Sequence, residues 1–288
     1  MTTIAITAAS GHLGRLVVED LLSRGVPAGD LRAVVRSPEK VQDFADRGVQ
    51  VVQGDYADAE GLAEALRGAD KWIFISSSGP NEVRLAGHLT AVAAGKEAGV
   101  GHVIYTSIPQ AETNPIGFAD VHKTTEAALK ESGLPYTFLR NNWYWENLTG
   151  SLGASVEHGA IIGSVGEGRI AYATRADYAA AAAVVATTEG HESKVYELTG
   201  DRAYSYAEIA AEITRQAGKD VAAVNLPQDE YRAALEGFGL PAFLAEGLAD
   251  ADVKISEGAL EQTTDTLRTL IGRPTTPVAD AIAEGLKN

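Results

Sequence analysis

Gly11 and Gly14 stand where a short β-branched run, Ile4-Ala-Ile6, passes through Ala8, Ala9 and Ser10 into an amphipathic stretch beginning near His12. That order is strand, tight turn, helix. Glycines at this spacing let main-chain N–H groups at a helix N-terminus face a diphosphate, which is how a dinucleotide is held. Ala8 stands where G-x-x-G-x-x-G would place its first glycine. Ala8, Ala9, Ser10, Gly11, His12 and Leu13 are the first candidate cofactor contacts, and an ordinary strand-to-helix turn is the competing reading.

A carboxylate about 20 residues after such a turn would bond the ribose 2′-OH of NAD. This chain has Arg36 and Ser37 there, with Lys40 one turn on. A guanidinium suits a 2′-phosphate, so Arg36 points to NADP(H). Glu39 could reach the same ribose and keeps NAD(H) open. Ser76, Ser77 and Ser78 end a fourth apolar run, where small hydroxyl residues suit close passage of a nicotinamide ribose or simply form a turn. Asp55 and Tyr56 end the third run and would border the adenine by the same logic.

Proton chemistry has fewer candidates. Thr106-Ser107 ends a fifth run, and Phe118 and His122 follow four apart, with Lys123 adjacent. Phenylalanine has no proton to give, so His122 is the nearby group for relaying a proton or orienting the nicotinamide ribose, unless it is structural. Asn141-Asn-Trp-Tyr-Trp-Glu146 holds two of the three tryptophans of the chain. Flat aromatic walls past a strand end suit a planar substrate, so Asn141, Asn142, Trp143, Tyr144, Trp145 and Glu146 are candidate substrate contacts. Tyr144 joins His122 as a candidate catalytic group. A hydrophobic plug is the alternative for the same segment.

The elements that must position these residues alternate. Leu13, Leu16, Val17, Leu21 and Leu22 recur at helical spacing and end at Gly25 and Pro27. Strands are expected at 31–35, 49–52, 72–75, 102–107 and 136–139, with helices between them and a seventh strand at 195–198. Near-continuous apolar strands separated by helices predict an α/β fold, a doubly wound parallel sheet. Past Asn141 the rhythm loosens into helices at 205–217, 229–238 and the C-terminal stretch; Ser205-Tyr-Ala-Glu208 has capping-box spacing. Ala179 to Ala183 reads as a tightly packed helix. The expected organisation is a nucleotide-binding core over 1–150, rejoined by a strand and helix near 170–200, and a smaller, mostly helical substrate lobe over 151–288.

Composition removes several classes. The absence of cysteine excludes disulfides, thiol catalysis and thiolate metal sites, and the six histidines form no metal-ligand spacing. A net charge of −15 opposes nucleic-acid binding. No apolar run is long enough to span a bilayer and no signal-peptide pattern opens the chain, so a cytoplasmic protein is expected, compatible with a homo-oligomer.

With these segments in order, the sequence resembles the NmrA-like branch of atypical short-chain dehydrogenases over nearly its whole length, especially its quinone- and triphenylmethane-reducing bacterial members. The matching segments are Ala8-Ala-Ser-Gly-His-Leu-Gly14, Val34-Val-Arg-Ser-Pro38, Gly54-Asp-Tyr56 and Phe74-Ile-Ser-Ser-Ser78. His102 to Ser107, Pro135 to Asn141, Ala173 to Tyr178 and Leu270-Ile-Gly272 complete them. The resemblance implies a Rossmann-type core, cofactor contacts at Ala8 to Leu13, Arg36 and Ser76 to Ser78, and a substrate loop at Asn141 to Glu146. It also implies flavin-independent hydride transfer from NADPH to a quinone or similar planar acceptor. Two alternatives stay open: a non-enzymatic NADP(H)-binding redox sensor, and a reductase of azo or triphenylmethane dyes.

Overall fold

The computed structural model describes residues 2–287. Its chain runs β1 (Ile4–Thr7), α1 (His12–Ser23), β2 (Leu31–Val35), α2 (Gln42–Asp46), β3 (Gln50–Gln53), α3 (Ala59–Leu66), β4 (Lys71–Phe74) and α4 (Asn81–Ala98). There follow β5 (His102–Ser107), α5 (Ala119–Ser132), β6 (Tyr136–Asn141), α6 (Glu146–Thr149), α7 (Leu152–His158), β7 (Ala160–Gly163) and β8 (Arg169–Ile170). The last third holds α8 (Arg175–Thr187), β9 (Lys194–Leu198), β10 (Tyr204–Ser205), α9 (Tyr206–Ala217), β11 (Ala222–Asn225), α10 (Gln228–Gly237), α11 (Ala242–Ser256), α12 (Thr266–Ile271) and α13 (Val278–Gly285).

One seven-stranded sheet carries the order β3-β2-β1-β4-β5-β6-β9. The pairings among β1 to β6 are parallel, with Ile4 opposite both Leu31 and Lys71. The order reverses direction at β1, the topological switch point at which sheets of this kind bind ligands along their carboxyl edge. The strands are covered on both faces, which explains their uninterrupted apolar character: every residue of β1 and β5 is buried. At the edge, β3 instead ends in exposed glutamines, Gln50 and Gln53. An edge strand with polar ends resists pairing with another chain.

The chain divides into two compact units. The first comprises residues up to Ala111, Val121–Asn141 and Tyr178–Tyr196; the second comprises Glu112–Asp120, Asn142–Asp177 and Glu197 onward. The change of unit thus falls after Asn141 rather than at the expected 150, and the loop before α5 belongs to the second unit. In the first, Trp72 stacks on Phe74 with ring centroids 4.6 Å apart, and Leu62, Leu66, Val103, Tyr105 and Phe138 share their cluster. Gly95 of α4 lies against Trp72, where a Cβ would come within 2.6 Å of the ring. The five alanines 179–183 of α8 are all buried. The second unit has its own core of Trp145, Tyr172, Ile161, Ile209, Ile213, Ile255 and Ile282. Its α9 opens with the expected capping box, Ser205 accepting from the Glu208 N–H while the Glu208 side chain accepts from the Ser205 N–H. Strands β7, β8, β10 and β11 were not expected; they form two separate two-stranded ribbons.

Candidate active site

The turn after β1 sits at the carboxyl edge of the sheet. Gly11 is the N-cap of α1, without a side-chain cap, and no acidic residue occupies the first turn. The first-turn N–H groups of such a helix carry a partial positive charge and await an anion. Gly11 N–H closes the turn on the Ala8 carbonyl at 2.9 Å. Gly14 packs so tightly beneath it that a Cβ would lie 2.7 Å from Ala9 Cα and closer still to the Ala8 carbonyl oxygen. Ala8 itself takes φ +54°, the left-handed region that glycine occupies without cost. The Ala8 methyl group is therefore accommodated at the expense of backbone strain.

Arg36 is exposed immediately after β2, and among the described residues its guanidinium makes no ion pair. Nearby Arg15 is committed, donating to both oxygens of Asp43 at 2.8 Å and to the Lys40 carbonyl at 2.7 Å. Arg36 is thus an unengaged cation at this edge, and with the uncapped turn it fits a phosphorylated dinucleotide. Asp55 folds back to accept from the Ala57 N–H at 3.0 Å. Tyr56 turns its ring onto the core beside Phe74 and its hydroxyl to Thr7 Oγ1 and the Ile75 carbonyl, each at 2.6 Å. Its polar end faces the sheet, because an otherwise buried strand end needs a donor there.

Ser76 to Ser78 continue past the end of β4. Ser76 N–H donates to Thr106 Oγ1 at 2.9 Å, and Ser77 is held on both sides of its peptide by α4. Ser107, at the end of β5, donates its hydroxyl proton to Glu126 at 2.6 Å. Glu126 is in turn held by Arg140 at 2.6 Å, a pair that is 2% and 7% exposed. Ser107 is therefore tied into a buried ion pair.

His122 is buried with both ring nitrogens engaged. Arg84 Nη2 lies 3.1 Å from Nε2 and Tyr105 Oη 2.8 Å from Nδ1. A guanidinium only donates, so Nε2 accepts and the ring proton sits on Nδ1, directed at Tyr105. Burial first, then the charge of the neighbouring Arg84, holds His122 well below the usual imidazole range. It is a neutral, occupied side chain.

In the second unit, the aromatic segment is laid along Ala173: Ala173 N–H donates to the Trp143 carbonyl at 3.2 Å and Trp145 N–H to the Ala173 carbonyl at 3.0 Å. Trp145 is 1% exposed and stacked on Tyr172 at 4.3 Å, so it is core. Asn142 spends its backbone N–H on Leu198, its amide nitrogen on Leu260 and its amide oxygen on the Trp143 N–H. Glu146 accepts from the Arg175 N–H at the start of α8. These three have structural work that composition did not reveal. Trp143 and Tyr144 are half-buried, with the Arg175 guanidinium 5.1 Å above the Tyr144 ring. Asn141 closes β6 and is 5% exposed. Phe118 lies against Gly247, where a Cβ would meet its ring at 2.6 Å.

Sequence reasoning missed Arg84, His88 and Tyr105. A signal existed for two of them: the buried stripe of α4 at Ala91, Val92 and Gly95 extends backward at helical spacing onto His88 and Arg84.

A parallel sheet with a glycine turn at its switch point and an uncapped helix behind it defines a dinucleotide-binding protein. A family profile described as NAD(P)H-binding matches residues 8–203, and the chain belongs to that family, within its NmrA-like branch. It is 49% identical over 280 residues to quinone oxidoreductase 2 of Escherichia coli K12, covering 97% of each chain. The crystal structure of Escherichia coli NADPH-dependent quinone oxidoreductase QOR2 complexed with NADPH matches with a TM-score of 0.95 and 48% identity, over 99% of this chain and 100% of that one. Citrobacter sp. triphenylmethane reductase complexed with NADP(H) matches with a TM-score of 0.94 and 38% identity, over 98% of this chain and 100% of that one.

Proposed function

We propose that this protein is an NADPH-dependent oxidoreductase that transfers hydride to a quinone without a flavin. The observation that carries the reading is the 49% identity with the Escherichia coli quinone oxidoreductase across 97% of both chains. NADPH, when bound, supplies the hydride from C4 of its nicotinamide. The α1 N-terminus receives the diphosphate, Arg36 the 2′-phosphate, and Ser76 to Ser78 border the nicotinamide ribose. The first unit is the cofactor domain, and the second carries the substrate side, with Trp143 and Tyr144 offering flat surfaces for a planar acceptor.

The proton inventory supports this choice of acceptor. Ser107 donates to Glu126, Phe118 has no hydroxyl, and His122 has no ring nitrogen to spare. A site so short of acids suits an electrophile that accepts hydride before it needs a proton, with catalysis resting on positioning. In this reading His122 positions rather than protonates, Tyr144 acts as a surface, and the proton comes from water. The charge of −15 argues against a nucleic-acid partner. No helix among the described residues is long and apolar enough to cross a membrane, and a cytoplasmic location completes the proposal.

Steady-state NADPH oxidation with small quinones tests the reading; quinone-dependent turnover is expected, and its absence would remove it. Reduction of triphenylmethane dyes is the second reading, favoured by the likeness to the Citrobacter sp. reductase. Relative kcat/KM for quinones and dyes separates the two.

A further inference from the structure

The rim formed by Ile75 to Ser78 lies beyond the last residue of β4, so the sheet ladder no longer fixes it. Side chains do so instead. Tyr56 donates to the Ile75 carbonyl and Thr106 accepts from Ser76 N–H. Ser77 is held hardest: its N–H donates to His88 Nε2 at 3.0 Å, its carbonyl accepts from Arg84 Nε at 2.8 Å, and its hydroxyl lies 3.1 Å from His88 Nε2. Arg84 and His88 stand one turn apart on α4 and are 7% and 0% exposed.

The direction of each bond follows from chemistry. A peptide N–H can only donate, so His88 Nε2 accepts and its proton is on Nδ1. That proton goes to Thr125 Oγ1 at 3.0 Å, and the Thr125 hydroxyl donates onward to the Val121 carbonyl at 2.7 Å. Arg84 uses its remaining reach on Asn81 Oδ1 and His122 Nε2. No carboxylate among the described residues pairs with Arg84, which is a costly way to place a guanidinium in a protein interior. Burial, aided by the charge of Arg84, pushes His88 down to about 3, so the acceptor is neutral at any working pH.

We propose that Arg84 and His88 are positioning residues for the cofactor, together fixing the Ser77 peptide so that the Ser76–Ser78 rim is preformed for the nicotinamide half of NADPH. The proposal rests on the reading that this rim borders the cofactor. A preformed rim keeps the ordering of irregular backbone out of the binding step. Arg84 and His88 touch neither hydride nor acceptor, so their loss raises the Kd and KM for NADPH far more than it lowers kcat at saturation.

The test is NADPH titration by nucleotide fluorescence, with steady-state kinetics, on full-length variants. His88→Leu removes the acceptor and is expected to raise the NADPH Kd about tenfold, the scale of one buried hydrogen bond. His88→Gln, whose amide oxygen can accept from Ser77 N–H, is expected to return most of that loss. Should His88→Leu fail to fold, Thr125→Val serves; it deletes the acceptor of the His88 ring proton with little change in shape, and a several-fold weaker Kd is expected. Ser76→Val and Ser78→Leu probe the underlying reading. If they weaken NADPH binding while the His88 and Thr125 variants bind as wild type, the positioning proposal fails alone. If none of the variants changes the Kd, the rim is not a cofactor surface and both fail.

Discussion

Arg84 Nη2 donates to His122 Nε2 at 3.1 Å, which fixes the His122 ring proton on Nδ1 against Tyr105. A histidine held this way is denied the protonated state, because a second proton would face a guanidinium. With His122 well below the usual imidazole range, the kcat profile for quinone reduction is expected to show no His122 ionisation between about pH 5 and 8. His122→Ala is expected to lower stability by about 1 to 3 kcal/mol, since Arg84 and Tyr105 lose a buried partner. It should leave the shape of that profile intact. A step near neutral pH that vanishes in the variant would return His122 to proton transfer.

Arg36 is exposed and has no ion pair among the described residues, so its removal leaves little behind in the free protein. Arg36→Ala is expected to raise the KM for NADPH by about 10- to 100-fold, the loss of a charge-assisted bidentate contact. The KM for NADH should barely move. Parallel titrations with the two cofactors measure the difference.

Trp143 is half-buried and packs against the second unit's core, so Trp143→Ala carries a stability cost of about 2 kcal/mol. If its outer face is a substrate wall, the quinone KM rises about tenfold while the NADPH Kd is unchanged. Titration of NADPH alongside quinone kinetics decides whether the residue is more than a plug.

Ala8 at φ +54° predicts the sign of a substitution. Ala8→Gly relieves the left-handed strain, partly offset by the freer unfolded chain, and should stabilise by up to about 1 kcal/mol. Gly14→Ala goes the other way, because the new Cβ meets main chain at Ala8 and Ala9 that cannot rotate aside. Thermal unfolding should rank Ala8→Gly above wild type and Gly14→Ala well below it.

Asp252 of α11 is buried, accepting from the Ser164 N–H at 2.8 Å. Tyr172, Tyr206 and Tyr231 are raised by its charge in addition to their own burial. Burial pushes its carboxyl up to about 7 from an ordinary 3.8. A raised folded-state value means that the native protein binds the proton more tightly than the unfolded chain. The stabilisation is complete below about pH 4 and is lost as the pH climbs through 7, by at most on the order of 4 kcal/mol. Asp252→Asn keeps an acceptor for Ser164 without the charge. Its stability relative to wild type should therefore increase between pH 5 and 8 in urea unfolding; a constant difference would show that Asp252 does not titrate there.

The core was legible because parallel strands buried on both faces write themselves as apolar runs, and β1, β2, β5 and β6 lie within two residues of where the runs placed them. Strands β8 and β10 span two residues each and are too short for any period to register. The place of Arg36 was legible because local sequence alone puts it after a strand, and β2 does end at Val35. The aromatic segment was only half legible: composition marks Trp143, Tyr144 and Trp145 alike, but Tyr172 and the Ala173 main chain decide which of them faces inward. Helical spacing puts Arg84 and His88 on the buried stripe of α4, but their bonds to Ser77, Thr125 and His122 join separate segments of the chain, which no local pattern records.

Ala179 to Ala183 form a stretch of α8 in which no side chain reaches solvent appreciably. Most helices have an outer face on which substitutions go unpunished; this one has none over more than a turn. Screening of random variants should find the tolerance of these five sites governed by size alone, with glycine and serine surviving and valine or leucine failing as often as lysine. The segment is a gauge of clearance, and its low-complexity spelling records how little room the fold leaves there.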